Sequence, residues 1–116
     1  MHTKTTTQIE NTFLSLPPQE REAIITHGAA IRLSSLKQRL FLAQSKVRSF
    51  EEKYQTTLDV YHDSGLPDQA GYEMHEDYLL VMHWAEVAAR CEKDLAALEK
   101  ITSQGVLNGE TSHVGG

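Results

Sequence analysis

Residues 33–54 read LSSLKQRLFLAQSKVRSFEEKY, and their apolar positions decide the fold of this chain. The apolar residues recur at alternating spacings of three and four, at Leu33, Leu36, Leu40, Ala43, Val47, Phe50 and Tyr54. This heptad pattern is typical of a helix that packs along a partner helix in a left-handed, coiled-coil-like arrangement. Upstream, Pro18 suits the first turn of a helix, and Gly28 marks a bend or a short break. The sequence therefore predicts a long helix that ends near Gln55.

A second apolar stripe follows in residues 73–101. It steps by three or four residues through Met74, Tyr78, Val81, Ala85, Ala88, Cys91, Leu95, Leu98 and Ile101. This spacing predicts a second long helix. Each predicted long helix spans about 40 Å at ~1.5 Å per residue. The segment that joins them is short by comparison, so we expect the two helices to form a hairpin.

The segment between the long helices carries its own start and stop signals. Thr56 is suited to be an N-cap, with Asp59 three residues on in a capping-box relation, which predicts a short helix over 57–63. Gly65 is a natural left-handed stop, and the following Leu66-Pro67 pair favours an exit from the helix.

The two long helices carry opposite charge. Residues 28–55 contain six basic and two acidic residues, a net charge of +4. Residues 73–101 contain seven acidic and three basic residues, a net charge of −4. This complementarity favours antiparallel pairing, and it selects the pairing more than it strengthens it, because exposed ion pairs contribute little.

The predicted fold class is therefore all-α. It is an antiparallel, coiled-coil-like helical hairpin with a short connecting helix and an N-terminal helical segment, which the apolar residues between Ile9 and Leu16 indicate. A single helical domain is predicted over residues 1–102. Residues 103–116 contain four glycines and few apolar anchors, which predicts a disordered tail.

Composition limits the classes of function. The chain has 116 residues, which points to one domain, and its net charge of −5 argues against non-specific attraction to nucleic acid or anionic membrane. Cys91 is the only cysteine, so a reducing interior is the simplest setting. Residues 1–8 lack the apolar region of a signal peptide, and no apolar run approaches the ~20 residues of a membrane span. We expect a cytoplasmic protein without a cofactor.

The second long helix carries apolar residues on nearly every side around Trp84. One stripe contains Tyr78 and faces the first helix, and a second stripe beside it contains Leu80, Trp84 and Val87. A helix that is apolar nearly all round must be buried nearly all round, which one partner helix cannot achieve. We therefore predict that these four residues form a partner-binding surface. The alternative is that residues 9–25 fold back and cover it.

The first long helix also has apolar residues outside its seam. Phe41 and Leu42 sit beside Leu40 and widen the apolar arc, either as a broader core or as a second contact surface, so both join the predicted partner-binding set. The basic residues of this helix are not interleaved with exposed aromatic residues, and the whole chain is acidic. A solvated helix face is therefore favoured over a nucleic-acid site.

No residues show catalytic or metal-binding spacing. His75 and His83 are eight residues apart and do not converge as an i, i+4 pair, and neither Glu-x-x-His nor His-Glu-x-x-His occurs. No Gly-rich phosphate loop, Ser/His/Asp arrangement or cysteine pair occurs either. Cys91, on an apolar stripe, is typical of a small core residue. We predict no enzymatic activity and no bound metal.

A series of short motifs runs through residues 47–101. They are Phe50-Glu51-Glu52-Lys53-Tyr54, then Leu58-Asp59-Val60-Tyr61, Gly65-Leu66-Pro67, Glu76-Asp77-Tyr78 and Trp84. In this order they resemble the pattern of small helical antitoxin-like proteins of prokaryotic toxin–antitoxin pairs. Gln55 departs from that pattern, in which a glycine is usual, and so does the apolar run from Leu79 to Met82. The resemblance implies that a toxin is neutralised by direct contact, through Tyr78, Trp84 and their neighbours.

The sequence thus predicts a non-catalytic protein-binding module, an antitoxin-like inhibitor of a cognate protein. The alternative is a self-associating coiled-coil scaffold or adaptor subunit of a bacterial or phage defence-related complex. The expected partners are a toxin-like protein, further copies of this chain, or both. No membrane or nucleic-acid partner is expected.

Overall fold

Four helices make up the part of the chain that the structure describes. The structure, a computed structural model, describes the backbone of residues 2–115 and the side chains of residues 6–104. In chain order the helices are α1 (His2–Leu14), α2 (Pro18–Tyr54), α3 (Leu58–Ser64) and α4 (Tyr72–Gly115). Every regular element of this described part is a helix, and the two long helices pack against each other. The predicted all-α class is confirmed.

The chain packs as two compact units. The first comprises Met1–Leu33 and Ala97–Gly116, and the second, which we call the hairpin unit, comprises Ser34–Ala96. Helices α2 and α4 are long enough for different stretches of each helix to join different clusters of packed residues. The single helical domain over residues 1–102 stays a prediction.

The seam of α2 follows the predicted heptad. Its buried residues are Ala29, Leu36, Ala43 and Phe50, each seven residues after the last. Helix α2 is continuous through Gly28, so the break considered for that position does not occur. A single glycine costs only about 1 kcal/mol in a helix, which the packing of a long seam outweighs. Pro18 begins the helix and Glu20 lies in its first turn, where the helix dipole favours an acid.

Helix α4 buries the predicted stripe at Val81, Cys91 and Leu95, and Val87, which the sequence places in the partner-binding surface, is also only 3% exposed. Val87 precedes the buried Cys91 by four residues and the buried Leu95 by eight, which places all three on one side of the helix. The buried arc of α4 therefore includes Val87 as well as the predicted stripe.

The turn after α2 differs from the predicted capping box. Gln55 adopts a left-handed conformation with φ of 55°, and the Thr56 amide donates to the Glu51 carbonyl at 3.2 Å, the long-range bond of a Schellman motif. The N-cap of α3 is Thr57, not Thr56, and its side chain makes no capping bond. The Glu51 carboxylate accepts from the Leu58 amide at 2.7 Å instead. A carboxylate from the previous helix therefore caps the start of α3.

Replacing Gln55 with glycine is expected to raise the free energy of unfolding, by up to about 1 kcal/mol. The left-handed conformation costs a residue with a Cβ roughly 1–2 kcal/mol, and the greater backbone entropy of an unfolded glycine removes part of that gain. Urea denaturation followed by circular dichroism measures the change.

Gly65 allows the reverse test, in which a Cβ is added to a residue with a positive φ. Its φ of 81° and ψ of 171° lie where essentially only glycine is found, and it caps α3 by donating its amide to the Tyr61 carbonyl at 2.9 Å. A Cβ added there meets no atom within 4 Å, so the effect of Gly65→Ala comes from the backbone alone, a loss of roughly 1–3 kcal/mol. Gly71→Ala, at a position without a positive φ and equally open, should be close to neutral. Equal effects of the two alanine variants would contradict this account.

Helix α4 continues past the position where the sequence predicts its end. It runs to Gly115, whereas the sequence predicts a helix end near Ile101 and a disordered tail over 103–116. The segment contains no proline, and glycines weaken a helix without blocking it sterically. Of the helices in the described residues, none combines the length and apolar character needed to cross a bilayer.

Candidate functional site

The hairpin unit is held together by an aromatic core where α2 and α4 meet α3. Its buried residues are Phe50, Leu58 and Val81, one from each of the three helices. The Phe50 ring lies 4.8 Å from the ring of Tyr54, 6.2 Å from that of Tyr61 and 6.3 Å from that of Tyr78, centroid to centroid. These separations fall in the favourable range for aromatic pairs. The Phe50 ring is therefore the one that Tyr54, Tyr61 and Tyr78 share.

The contacts between α2 and α4 occur in opposite chain order. Lys53 contacts Asp77, and Phe50, nearly one turn earlier in α2, packs with Tyr78 and Val81, which follow Asp77 in α4. Moving backwards along one helix therefore means moving forwards along the other.

A polar network joins the end of α2 to the start of α4. The Lys53 ammonium donates to Glu73 Oε1 at 2.8 Å and to Asp77 Oδ2 at 2.7 Å. The Tyr54 hydroxyl donates to the same Asp77 oxygen at 2.5 Å. Asp77 thus binds two consecutive residues of α2 and aligns the two helices at this level.

The network shifts the protonation of all three groups. The hydrogen bond from Lys53, followed by that from Tyr54, holds the pKa of Asp77 below its ordinary 3.8. The Asp77 and Glu73 acceptors raise the pKa of Lys53 well above its ordinary 10.5. The bond to Asp77 raises the pKa of Tyr54 above its ordinary 10.0. Each shift favours the protonation state that the network uses at neutral pH.

Asp77→Asn is expected to lower the thermal midpoint at pH 7, by at most a few degrees because the network is solvent-accessible. The folded-state pKa of Asp77 lies below its unfolded value, so its stabilisation is present above about pH 4 and is lost as the pH falls through the folded pKa. Lys53 and Tyr54 have raised values, so their contribution is present below about pH 10 and is lost above it. The thermal midpoints of the wild-type chain and of Asp77→Asn, measured from pH 2 to 7, should converge at the acidic end of this range.

The matched control for this prediction is Glu76→Gln. Glu76 lies next to Asp77 and carries the same charge, but it has no hydrogen bond or ion pair to a described side chain. The Glu76→Gln variant should not lower the thermal midpoint at pH 7. Its midpoint should therefore show no convergence with that of the wild-type chain at acidic pH. If both variants behave alike, general charge and not the network sets the pH dependence.

A groove of about 180 Å³ lies between α2 and α4 beside this network. Its lining residues are Lys46, Ser49, Phe50, Lys53, Asp77, Leu80, Val81 and Trp84. Phe50 and Val81 are buried members of the core and form its floor, and the half-buried Trp84 and the exposed Leu80 form the α4 side. The ammonium groups of Lys46 and Lys53 belong to the α2 side. The groove therefore offers an apolar floor with a basic edge.

The structure brings two of the predicted partner-binding residues together in this groove, Leu80 and Trp84. Leu80 is 58% exposed, although it is an apolar residue in the middle of a packed helix. Leu42 is also exposed and lies four residues before Lys46, which places it on the groove side of α2. Phe41 is 68% exposed and points about 100° away from Leu42, so it belongs to another side of the hairpin.

Tyr78 and Val87 are not part of the groove. Tyr78 is half-buried and turns its ring toward Phe50, so it supports the core. Val87 is buried as described above. The predicted set therefore separates into Leu80, Trp84 and Leu42 on one side, Phe41 on another, and two residues that pack within the hairpin.

The polar edge of the groove is the part that the sequence interpretation missed. The sequence prediction treats the basic residues of α2 together as one solvated face. Their spacing contained a further signal: Arg39, Lys46 and Lys53 follow one another at seven residues, the period of the buried seam. A charged column that keeps the period of the seam stays beside it along the whole helix.

The groove contains no side chains placed for metal binding. Among residues with described side chains, no three or more His, Cys, Asp or Glu residues lie together as a metal site would require. Comparison with known proteins finds no matching family, no similar curated protein and no similar solved structure. The function must therefore be argued from the groove and its neighbouring surface.

Proposed function

We propose that this chain is a non-catalytic protein-binding module, an antitoxin-like inhibitor that neutralises a cognate cytoplasmic protein by direct contact. The observation that carries the proposal is the exposure of Leu80 beside Trp84, directly above a packed aromatic core. An exposed leucine beside a half-buried tryptophan in one groove is typical of a contact surface, and tryptophan is among the residues enriched at binding hot spots.

The burial of these side chains supplies the affinity. Covering a fully exposed leucine contributes about 1.5–3 kcal/mol, and the half-covered tryptophan adds to it. Because the aromatic core and the Asp77 network fix the groove before binding, little conformational entropy is lost on association. A rigid surface is what an inhibitor that acts by contact requires.

The architecture supports this role. In our proposal α2 and α4 form an antiparallel coiled-coil-like hairpin with α3 as the connecting helix, which holds the groove at one end. The buried heptad of α2 supports that packing. The resemblance of residues 47–101 to antitoxin-like proteins supports the inhibitory role, since the motifs Phe50-Glu51-Glu52-Lys53-Tyr54 and Trp84 supply the core, the network and the groove.

The alternative function is a self-associating scaffold or adaptor. The exposure of further large apolar residues favours it, since Phe41 and Leu79 do not line the groove and are both about two-thirds exposed. A chain with apolar residues on several sides can bind several copies of itself.

The decisive experiment is co-expression with the protein encoded by the adjacent gene. We expect the two proteins to purify as a complex of defined mass, and we expect the neighbour to arrest growth only when this chain is absent. A chain that elutes alone as a stable homo-oligomer, and that does not affect the growth phenotype of its neighbour, would establish the scaffold instead.

A further inference from the structure

We infer that the groove receives an acidic amphipathic helix, which inserts one large apolar side chain against Phe50, Leu80 and Trp84 and pairs a carboxylate with Lys46. This inference rests on the proposed function, because it specifies the segment of the partner that the groove binds. The size of the groove, its charge and the spacing of its lysines support it.

The size of the groove suits a side chain and not a free small molecule. Pockets that bind drug-sized ligands have volumes of about 300–1,000 Å³, whereas this groove has about 180 Å³. Its floor consists of Phe50 and Val81, and its only carboxylate belongs to Asp77. A single apolar anchor that enters such a pocket from a partner helix is a recurrent mode of recognition.

The charge of the groove favours an acidic occupant. Lys53 already has two carboxylate acceptors and Asp77 already accepts two hydrogen bonds, so these groups satisfy each other. Lys46 has no hydrogen bond or ion pair with any described side chain, and Arg39, one heptad earlier in the same column, has none either. Among the charged residues that line the groove, Lys46 is thus the one without a bonded partner.

The net charge of the whole chain does not cancel this local preference. The chain carries −5, but charges separated by more than about 8 Å are largely screened at physiological ionic strength. A carboxylate placed beside Lys46 interacts mainly with that ammonium group. Local complementarity then selects the partner segment, and the overall charge only slows its approach.

The spacing of the lysines predicts the pattern of the partner. Lys46 and Lys53 both line the groove and are seven residues apart, which is about 10 Å along α2. A helix lying along α2 meets both ends with acidic residues at i and i+7, and it meets the floor between them with an apolar residue at i+3 or i+4. Because Lys53 is already paired with Glu73 and Asp77, the partner's acid next to Lys46 contributes more to binding than the one next to Lys53.

Intrinsic fluorescence provides the test, because Trp84 is the only tryptophan of the chain and it lines the groove. The probes are two synthetic helical peptides with leucine at the anchor position, one with glutamate at i and i+7 and one with lysine at both. We expect the acidic peptide to shift the Trp84 emission to the blue and to bind at least tenfold more tightly than the basic one. Equal affinities, or a preference for the basic peptide, would overturn the inference.

A charge-reversal pair supplies the control. Lys46→Glu should reverse the preference between the peptides, whereas Arg48→Glu should leave it unchanged. The two variants carry the same charge change, but Arg48 is two residues further on and lies on the opposite side of α2, where it bonds to the Ser45 hydroxyl. Equal effects of the two variants would reduce the result to net charge and contradict a role for Lys46.

The proposed function and this inference fail in different ways. If neither peptide binds but a Leu80→Glu variant loses the co-purified neighbour, the groove binds a protein and the acidic-helix inference is wrong. If the neighbour does not co-purify at all but the acidic peptide still binds with the expected preference, the inference stands and the inhibitory function is wrong. A Trp84 emission that shifts to the blue with rising chain concentration, without peptide, would mean that a second copy occupies the groove and would overturn the inference.

Discussion

Leu80→Glu is expected to weaken binding of the partner protein by about 30-fold or more while leaving the helix content and thermal midpoint unchanged. A hot-spot residue contributes 2 kcal/mol or more to binding, and the new carboxylate places a second negative charge one turn from Asp77 on the same side of the groove. The side chain is 58% exposed in the free chain, so the change removes little packing. Isothermal titration with the purified partner gives the affinity, and far-ultraviolet circular dichroism gives the helix content.

The adjacent leucine is the matched control. Leu79 is 67% exposed and does not line the groove, so Leu79→Glu makes the same chemical change about 100° around the same helix. It should leave the affinity within about threefold, whereas Trp84→Ala should reproduce the loss seen for Leu80→Glu. If residues 9–25 cover Leu80, as the sequence alternative proposes, Leu80→Glu would lower the thermal midpoint instead, and that result would contradict the role assigned to the groove.

Phe50→Ala is expected to have the largest effect on stability, a loss of about 3–5 kcal/mol in the free energy of unfolding. Phe50 is 5% exposed, packs with Leu58 and Val81, and has three aromatic rings within 6.3 Å of its own. Its removal leaves a cavity where three helices meet. Since domains of this size are stable by only 5–15 kcal/mol, urea denaturation should show a strongly lowered midpoint.

Phe41→Ala tests the same truncation on the same helix outside the core. Phe41 is 68% exposed, so its loss should change the free energy of unfolding by no more than about 0.5 kcal/mol. A large effect of Phe41→Ala would mean that this side chain is covered in solution, by a second copy for example. A small effect of Phe50→Ala would contradict the aromatic core as described.

The sequence predicts α2 closely because one face of that helix is buried and the others are not. The seven-residue spacing of Leu36, Ala43 and Phe50 is visible without coordinates, and these residues are buried as the heptad requires. Gly65 was equally predictable, because its left-handed conformation is a requirement that few residues other than glycine meet.

Helix α4 was harder to predict because apolar residues occupy most of its circumference. A continuous apolar surface contains several stripes of helical spacing, and the sequence does not say which one faces α2. The choice depends on the side chains of the opposite helix, so the burial of Val87 beside the predicted stripe could not be read from α4 alone. Leu80 and Trp84, which the sequence places in one predicted surface, line the same groove, and their role in partner binding stays a prediction.

The capping and network residues depend on contacts between helices, which local sequence rules do not include. The predicted capping box at Thr56 used residues three apart, whereas the observed cap comes from Glu51, seven residues before Leu58. In the same way, the ligands of Lys53 lie 20 and 24 residues away in α4. Such partners become neighbours only once the hairpin has formed.

The single thiol of this chain has a practical consequence. Cys91 is buried in the hairpin unit and is the only cysteine of the sequence. A maleimide or similar alkylating reagent reaches it only when α4 moves away from its neighbours, so the labelling rate measures how often the native hairpin opens. A ligand that holds the two helices together should slow this labelling, and the reaction could therefore serve as a mass-spectrometric screen for binders that requires no knowledge of what they are.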